Sequence, residues 1–536
     1  MGKGGMKDRP IVKNFANGDK YWEHSFDKFT LKVYVPVNDI DSQINNYAFC
    51  APLLTVLEEK PQTMEEAIEF ARSSGLASIA AGKDTSVLFI YPTCEGGWKN
   101  AKEDLYASFI EKVEMVPYYD EGICKDVNYF TGEFVGYFIR GAIFRANLYG
   151  YGESADYIVT HLLKKIEGEY IWGPGDITPA VCILQGVSVN PIIERKDIAI
   201  VSVGNSEEVN EAFSDCEHLL IKYAPEYEKD YAFTRQFKMW CGVQQIEPNF
   251  EEMGMIEEAG SAFIETSPDH IGPFVHDKEH KVGYFAYYNK DIFDNGPVPL
   301  VMGFHGGGDS AFFLTYVSGW YAVAHKYNFL YVAIENHQTV TATEVIEVIE
   351  YLKNVYNIDE KRIYATGFSM GSVKTWELIQ EYPELFAGYA PADALFPMGK
   401  GKFSQSNSGR FNEDVPVNLF YSGGEASPLP ELPCHADTSL DRMKYAARLN
   451  RLKKSKEINA LRFEDRDNWE NPIYGVNPDK IERLYDDTRD AYLTINYFES
   501  EDGVCRTAFA SISGQEHELR QHTNEAAWKF ISGFTK

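Results

Sequence analysis

The sequence lacks several features that mark specialised classes of protein. Its eight cysteines include no C-x-x-C pair and are irregularly spaced, which favours free thiols over a disulfide framework. No hydrophobic run is long enough to span a membrane, and the N-terminus has no apolar segment typical of a secretion signal. We therefore expect a cytoplasmic protein, secreted only if a signal peptide has been removed.

Positive charge is also scarce in this chain. It has 51 basic against 80 acidic residues, and the formal net charge of −29 argues against nucleic acid and anionic membranes as partners. The hydrophobic content of 44% and charged content of 24% are ordinary for a globular protein, and 536 residues suffice for two or more domains.

The segment RIYATGFSMGSVKTW (362–376) contains the pattern G-x-S-x-G around Ser369. A β-branched and aromatic run precedes the pattern, and apolar residues at helical spacing follow it. A strand, a tight glycine turn and a helix form the nucleophile elbow, in which the turn exposes the serine Oγ above the sheet. We therefore predict that Ser369 is a catalytic nucleophile.

A second glycine-rich segment lies upstream, in PVPLVMGFHGGGDSAFF (297–313). A hydrophobic strand ending at Phe304 leads into His305 and three glycines, whose backbone N–H groups can approach a substrate closely. Such donors, together with the N–H of the residue after the nucleophile, stabilise the oxyanion in acyl transfer. The predicted donors are Gly306, Gly307 and Met370, and His305 is interpreted as a structural residue.

The remaining catalytic groups are expected in the order serine, acid, histidine. The segment VPVNLFYSGGEASPLPE (415–431) predicts a strand and a glycine turn that presents Glu425 as the acid, with Asp393 as the alternative. Two strands near the C-terminus precede a loop with two histidines, of which His517 is favoured as the base over His522.

Five segments together resemble one enzyme family: FHGGG, NIDEKRIYATGFSMGS, EYPELFAGYAP, VPVNLFYSGGEASP and FESEDGVCRTAFASISGQEHE. They are similar to α/β-hydrolase esterases of the poly(3-hydroxybutyrate) depolymerase and feruloyl or acetyl-xylan esterase type, over residues 272–536. The resemblance implies a triad of Ser369, Glu425 and His517. The family usually has aspartate where Glu425 stands, and often glycine where this chain has Ser372.

The first half of the chain repeats the pattern without the chemistry. TSVLFIYPTCEGGW (85–98) is similar to residues 299–312, and RANLYGYGESADYIVTHLLKK (145–165) to residues 362–382. In this comparison Gly152 takes the nucleophile position, and Pro92-Thr93-Cys94 replaces the oxyanion loop, where proline has no N–H to donate. No histidine lies between His218 and His270 to act as a base.

We therefore predict two α/β-hydrolase-like domains in tandem, with mostly parallel sheets covered by helices and the first domain degenerate. The first covers residues 1–268, and the catalytic domain covers 269–536 with a lid-like insertion at about 436–490. The expected activity is that of a serine carboxylic-ester hydrolase acting through an acyl-enzyme on small or oligomeric hydroxyalkanoate, aromatic or acetyl esters.

No cofactor or metal is expected, and the expected partner is the ester substrate, with no nucleic acid and no membrane; a homo-oligomer stays open. The alternatives are a serine peptidase or amidase of the same fold, and a non-catalytic binding or scaffold protein. Reaction with a fluorophosphonate probe separates the scaffold from both enzymes.

Overall fold

The computed structural model describes most of the chain. The described residues are 13–14, 16–37, 51–83, 85–118, 139, 141–170, 173–227, 236–238, 244–268, 279–307, 309–335, 337, 340–394, 408–427, 429, 431–432, 437–453 and 477–536. They form two compact units, one ending at Pro248 and one beginning at Asn249. The boundary predicted at 268/269 lies too late, because strand Met255–Glu265 already belongs to the second unit's sheet.

The first unit is built on a sheet of nine strands in the order β1-β2-β3-β5-β4-β6-β9-β10-β11. The strands of the unit are β1 (Lys13–Asn14), β2 (Lys20–Ser25), β3 (Phe29–Val35), β4 (Pro52–Leu57), β5 (Val87–Pro92), β6 (Ala142–Tyr151), β7 (Glu167–Tyr170), β8 (Gly173–Asp176), β9 (Val181–Gln185), β10 (Ala199–Val203), β11 (Leu219–Lys222), β12 (Gln236–Lys238) and β13 (Gln244–Ile246). Outside the nine-stranded sheet, β7 pairs with β8 and β12 pairs with β13. Its helices are α1 (Met64–Ser73), α2 (Leu76–Gly82), α3 (Asp104–Tyr118), α4 (Glu153–His161) and α5 (Glu207–Ala212), with a 3₁₀ turn at Gly97–Asn100.

The second unit is built on a sheet of ten strands in the order β14-β15-β17-β16-β18-β19-β20-β23-β22-β21. These strands are β14 (Met255–Glu265), β15 (Glu279–Asn289), β16 (Val298–Phe304), β17 (Leu330–Ile334), β18 (Ile358–Phe368), β19 (Gly388–Ala392), β20 (Leu419–Gly424), β21 (Lys480–Asp486), β22 (Ala491–Glu499) and β23 (Cys505–Ile512). Its helices are α6 (Phe250–Met253), α7 (Ala311–Ser318), α8 (Trp320–Tyr327), α9 (Ala342–Val355), α10 (Met370–Glu381), α11 (Asp437–Leu449) and α12 (Gln521–Ile531), with 3₁₀ turns at Ile292–Asn295 and Pro383–Leu385.

The two sheets share one topology. The order β3-β5-β4-β6-β9-β10-β11 in the first corresponds to β15-β17-β16-β18-β19-β20-β23 in the second, and every pair after the first is parallel in both. The register agrees as well, since Leu57 pairs with Gly150 and Phe304 pairs with Gly367. The prediction of two α/β-hydrolase-like domains is confirmed.

The central strands are hydrophobic throughout because helices cover both faces of each sheet. All seven residues of β16 are buried, as expected for a parallel strand covered on both sides. Helix α9 begins at a capping box in which Thr341 and Glu344 exchange side-chain and backbone hydrogen bonds. Such a cap contributes about 1 kcal/mol to helix stability, and here it fixes where the helix starts over the sheet.

Helix α11 occupies the first part of the predicted lid-like insertion. Met443, Ala446 and Leu449 on this helix belong to the hydrophobic core of the second unit. Asn450, just after it, accepts a bond from the Val417 N–H and donates to the Val417 carbonyl. This helix is therefore part of the domain core, while residues 454–476 of the predicted lid lie outside the described residues.

Two expectations drawn from missing features can be compared with the structure. Among the cysteines of the described ranges, Cys94, Cys182, Cys216 and Cys505 carry free thiols. Within the same ranges, no helix combines the length and the apolar character needed to cross a lipid bilayer.

Candidate active site

Ser369 lies between the end of β18 and the start of α10 in a strained backbone conformation. Its φ of 53° and ψ of −113° fall where non-glycine residues are rare. A Cβ added to Gly371 would lie 1.9 Å from the Phe304 carbonyl oxygen, and one added to Gly367 would lie 2.1 Å from the Gly371 carbonyl oxygen. Both glycines are therefore required, and the strand, turn and helix predicted around Ser369 are all present.

Two hydrogen bonds hold this elbow against the neighbouring strand β19. The Ser369 N–H donates to the Ala392 carbonyl at 3.0 Å. The Ser372 hydroxyl donates to the Ala394 carbonyl at 2.9 Å in a buried position. Ser372, the departure from the family pattern, therefore ties the first turn of α10 to the chain after β19.

The glycine loop after β16 is held by buried histidines. His305 donates from Nδ1 to the Gly306 carbonyl at 2.7 Å, and its own carbonyl accepts a bond from His337 Nε2 at 2.5 Å. Burial lowers the pKa of His305 to about 4, so the ring stays neutral at physiological pH. His305 thus has the structural role that was predicted.

The same loop lies directly against the elbow. A Cβ added to Gly306 would lie 3.5 Å from the Ser369 Cβ and 3.1 Å from the Phe368 ring. The backbone of Gly306 therefore lies close to Ser369. Gly308 lies outside the described residues.

His517 is positioned beside the elbow by an aromatic contact. Its ring stacks on Phe368, the residue before Ser369, with centroids 4.7 Å apart and planes 30° apart. Burial lowers its pKa to about 4. His522, the alternative, lies within α12 rather than on the loop.

The carboxylate in contact with His517 belongs to Glu431. His517 Nδ1 donates to Glu431 Oε1, and the Gly424 N–H donates to Glu431 Oε2 at 3.2 Å. The side chain of Glu431 is fully buried, and burial raises its pKa. Because Nδ1 carries the ring proton in this arrangement, Nε2 is unprotonated and can accept a proton.

The expectation that Glu425 contacts His517 is wrong. The Glu425 N–H donates to the Ile512 carbonyl at 3.0 Å and so continues the ladder between β20 and β23. This directs its side chain to Ser511, whose hydroxyl donates to Glu425 Oε1 at 3.0 Å. Glu431 is the last residue of the segment 415–431. The chain after Glu425 turns back, so that the carboxylate of Glu431, and not that of Glu425, reaches His517.

The first unit retains the elbow backbone without its serine. Gly152 has φ 54° and ψ −119°, nearly the values at Ser369, and its N–H donates to the Gln185 carbonyl at 2.9 Å. The assignment of Gly152 to the nucleophile position therefore agrees with the geometry.

The alignment of the first oxyanion loop, in contrast, is wrong. The strand beside the elbow strand β6 is β4, not β5, so the counterpart of His305 is Glu58 and not Pro92-Thr93-Cys94. Sequence comparison missed β4 because the segment after it carries carboxylates and lysine where the second unit has glycines.

Acidic side chains fill the space above the first elbow. A Cβ added to Gly152 would lie 2.7 Å from Glu59 Oε1. Next to it, Glu58 forms a buried ion pair with Lys32, with 3.0 Å between Nζ and the carboxylate. A carboxylate thus occupies the place that the Ser369 side chain has in the second unit.

Comparison with known proteins gives distant matches. No family model matches the chain. A bifunctional acetylxylan esterase/xylanase from Neocallimastix patriciarum is 34% identical over 80 residues, which is 15% of this chain and only 10% of that protein.

Solved structures with similarity to part of the chain are esterases and other serine hydrolases. An acetyl xylan esterase from Aspergillus awamori has a TM-score of 0.33 at 13% identity, covering 51% of this chain and 99% of that one. A feruloyl esterase module from Clostridium thermocellum has a TM-score of 0.29 at 12% identity, covering 52% and 87%. An S-formylglutathione hydrolase from Staphylococcus aureus has a TM-score of 0.27 at 14% identity, covering 38% and 88%.

Proposed function

We propose that this protein is a serine carboxylic-ester hydrolase whose triad is Ser369, His517 and Glu431. One observation carries the proposal: an imidazole that stacks on the residue before the strained elbow serine has its Nδ1 bound by a buried carboxylate. Buried carboxylates that orient a histidine next to an exposed nucleophile are the arrangement of acyl-transfer enzymes.

In the proposed reaction, His517 Nε2 takes the proton of Ser369 as Oγ attacks the ester carbonyl. The carbonyl oxygen becomes an oxyanion, which accepts bonds from backbone N–H groups of Gly306, Gly307 and Met370. His517 then gives its proton to the leaving alcohol, which leaves an acyl-enzyme. Water, deprotonated by His517, then attacks the acyl-enzyme carbonyl in the same way and releases the carboxylic acid and Ser369. No cofactor is consumed.

A substrate panel tests this function and separates it from amide hydrolysis. The purified protein is assayed with short-chain, hydroxyalkanoate and feruloyl esters and with acetylated xylan, each beside a matched amide. The names of the similar proteins guide only the choice of the last two. Ester turnover with fluorophosphonate labelling supports the proposal. Faster turnover of the amides indicates the peptidase alternative, and absence of both labelling and turnover indicates a binding protein.

We expect the acid limb of the pH–rate profile to lie well below the ordinary histidine pKa of about 6.5. The base must be neutral to accept a proton; burial lowers the pKa of His517 to about 4, and the charge of an ionised Glu431 acts in the opposite direction. Protonation therefore begins only at lower pH, and kcat/KM should hold through pH 6 and fall toward pH 4. Circular dichroism at each pH checks that the fold survives. A midpoint at or above the ordinary value contradicts the prediction.

The first unit is proposed to be catalytically inert, and Gly152→Ser tests this. The new hydroxyl would meet Glu59 and would find no histidine base, so the variant should show no second fluorophosphonate adduct. A non-glycine residue at this φ should also lower stability by on the order of 1 kcal/mol. Intact-protein mass spectrometry counts the adducts, with Gly152→Ala as the control for strain alone. Two adducts per chain would show a latent active site.

A further inference from the structure

Asp393 is a buried carboxyl group that the proposed triad does not use. It follows β19 with a φ of 58° and is fully buried. Its N–H donates to the Ser422 carbonyl at 2.9 Å, which places it beside the end of β20. Within the described part of the chain, neither carboxyl oxygen of Asp393 receives a well-formed hydrogen bond from an N–H or hydroxyl donor.

The polar groups that face Asp393 are mainly other acids. The Glu431 carboxyl is in hydrogen-bond contact with it, the Gly424 N–H lies close by, and the charge of Glu518 acts from the loop after β23. Tyr421, buried on β20, uses its hydroxyl to bond the Glu431 carbonyl. Among the described residues, the cationic groups here are Arg489 and Arg520. Both form ion pairs with Glu518, at 2.7 and 2.6 Å.

Two buried carboxyl groups in contact cannot both be ionised without a large electrostatic penalty, so one proton is shared between them. Glu431 has donors for a negative charge, namely His517 Nδ1–H and the Gly424 N–H. Asp393 shares only the nearby Gly424 N–H, and no side-chain donor gives its carboxyl oxygens a well-formed hydrogen bond among the described residues. Burial raises the pKa of both groups well above the ordinary range, but the contact between them raises the pKa of Asp393 and lowers that of Glu431.

We propose that Asp393 is a protonated positioning residue whose O–H donates to Glu431 and holds that carboxylate ionised and oriented against His517. The inference rests on the proposed function, since it assigns Glu431 as the triad acid. Asp393 itself touches neither the substrate nor the serine. It completes the set of donors around Glu431, which must remain a hydrogen-bond acceptor while His517 carries the proton taken from Ser369.

This arrangement gives the enzyme an alkaline limit of its own. When the shared proton is lost at high pH, two adjacent anions repel and Glu431 loses a donor. The hold on His517 then weakens and kcat falls. The direction of the limb follows from the protonated form being the active one, in contrast to His517, whose active form is the neutral one.

Two substitutions at Asp393 separate this role from that of an ionised triad acid. Asp393→Asn keeps a donor for Glu431 and suits the positive φ, because asparagine tolerates this region. It should retain kcat within about tenfold and lose the alkaline limb. Asp393→Gly removes the donor without backbone strain, and kcat should fall by about 10- to 100-fold with little change in KM, as for one lost hydrogen bond to a charged group.

An infrared measurement tests the protonation without relying on turnover. The difference spectrum of wild type minus Asp393→Asn at neutral pH should contain the carbonyl stretch of a protonated carboxylic acid, and that band should disappear as pH is raised. Thermal melts confirm that both variants fold. Absence of the band, or an Asn variant as inactive as Glu431→Gln, overturns the proposal. Absence of ester turnover in wild type contradicts the proposed function instead, and leaves the infrared result to decide the protonation.

Discussion

Replacement of Ser369 by alanine should reduce ester hydrolysis by on the order of 10⁶-fold, the loss typical of a missing triad nucleophile. Without Oγ no acyl-enzyme can form, and only the oxyanion donors and substrate binding remain to assist direct attack by water. The fold should be unaffected, because the Ser369 N–H bond to the Ala392 carbonyl is a backbone bond that alanine keeps. Fluorophosphonate labelling should disappear together with turnover.

The matched control for this variant is Ser372→Ala, one turn into the same helix. Ser372 ties α10 to the Ala394 carbonyl but does not face the reaction, so its loss should lower stability and leave labelling intact. If Ser369→Ala kept labelling or more than a trace of turnover, with contaminating hydrolases excluded by active-site titration, another residue would be the nucleophile.

Replacement of Glu431 by glutamine should lower kcat by about 10⁴-fold, as loss of the acid does in other triads. Glutamine preserves the size of the side chain but removes the charge that stabilises the imidazolium, and its amide can hold His517 in the wrong tautomer. KM should change little, since Glu431 is buried and bound to His517 and Gly424. Steady-state kinetics on the best ester of the panel measures both constants.

Glu425→Gln provides the comparison, because it makes the same chemical change six residues earlier in the same loop. The Glu425 carboxylate accepts a hydrogen bond from the Ser511 hydroxyl, and the amide oxygen of glutamine can accept the same bond. We therefore expect kcat to stay within about tenfold of wild type. A larger loss at Glu425 than at Glu431 would return the acid to the position that the sequence alone suggested.

The elbow and the overall topology could be predicted from sequence because they depend on local patterns. Gly367 is needed for a close contact with Gly371, four residues later, and Gly371 for one with Phe304 on the adjacent strand; β-branched runs mark the buried strands around them. His517 could also be predicted from the sequence, since the topology requires a base after the last parallel strand.

The acid could not be read from the sequence, because two glutamates follow β20 and only the path of the loop distinguishes them. The Glu425 N–H donates to the Ile512 carbonyl and so continues the hydrogen bonding between β20 and β23, and no pattern in the sequence predicts this bond. The proposed protonation of Asp393 could not be predicted from the sequence either, because it depends on the contact with the Glu431 carboxyl group.

The alignment of the two halves failed at a different level. Strands β4 and β5 are both short and hydrophobic, so spacing alone matched the oxyanion loop to the strand that is one place too far from the elbow. Only the hydrogen-bonded order of the sheet shows that β4 pairs with β6 as β16 pairs with β18.

The backbone at the carboxyl ends of the two central strands has an energetic consequence. The second unit places Ser369 and Asp393 at φ values of 53° and 58°, whereas the first unit places Gly152 and Gly186 at the corresponding positions, at 54° and 72°. Side chains at such angles destabilise the native state by roughly 1–2 kcal/mol each, and glycine avoids this. The second unit thus keeps the Ser369 and Asp393 side chains at the expense of folding free energy. The first unit, with glycine at both positions, avoids this cost, as expected of the inert domain proposed above.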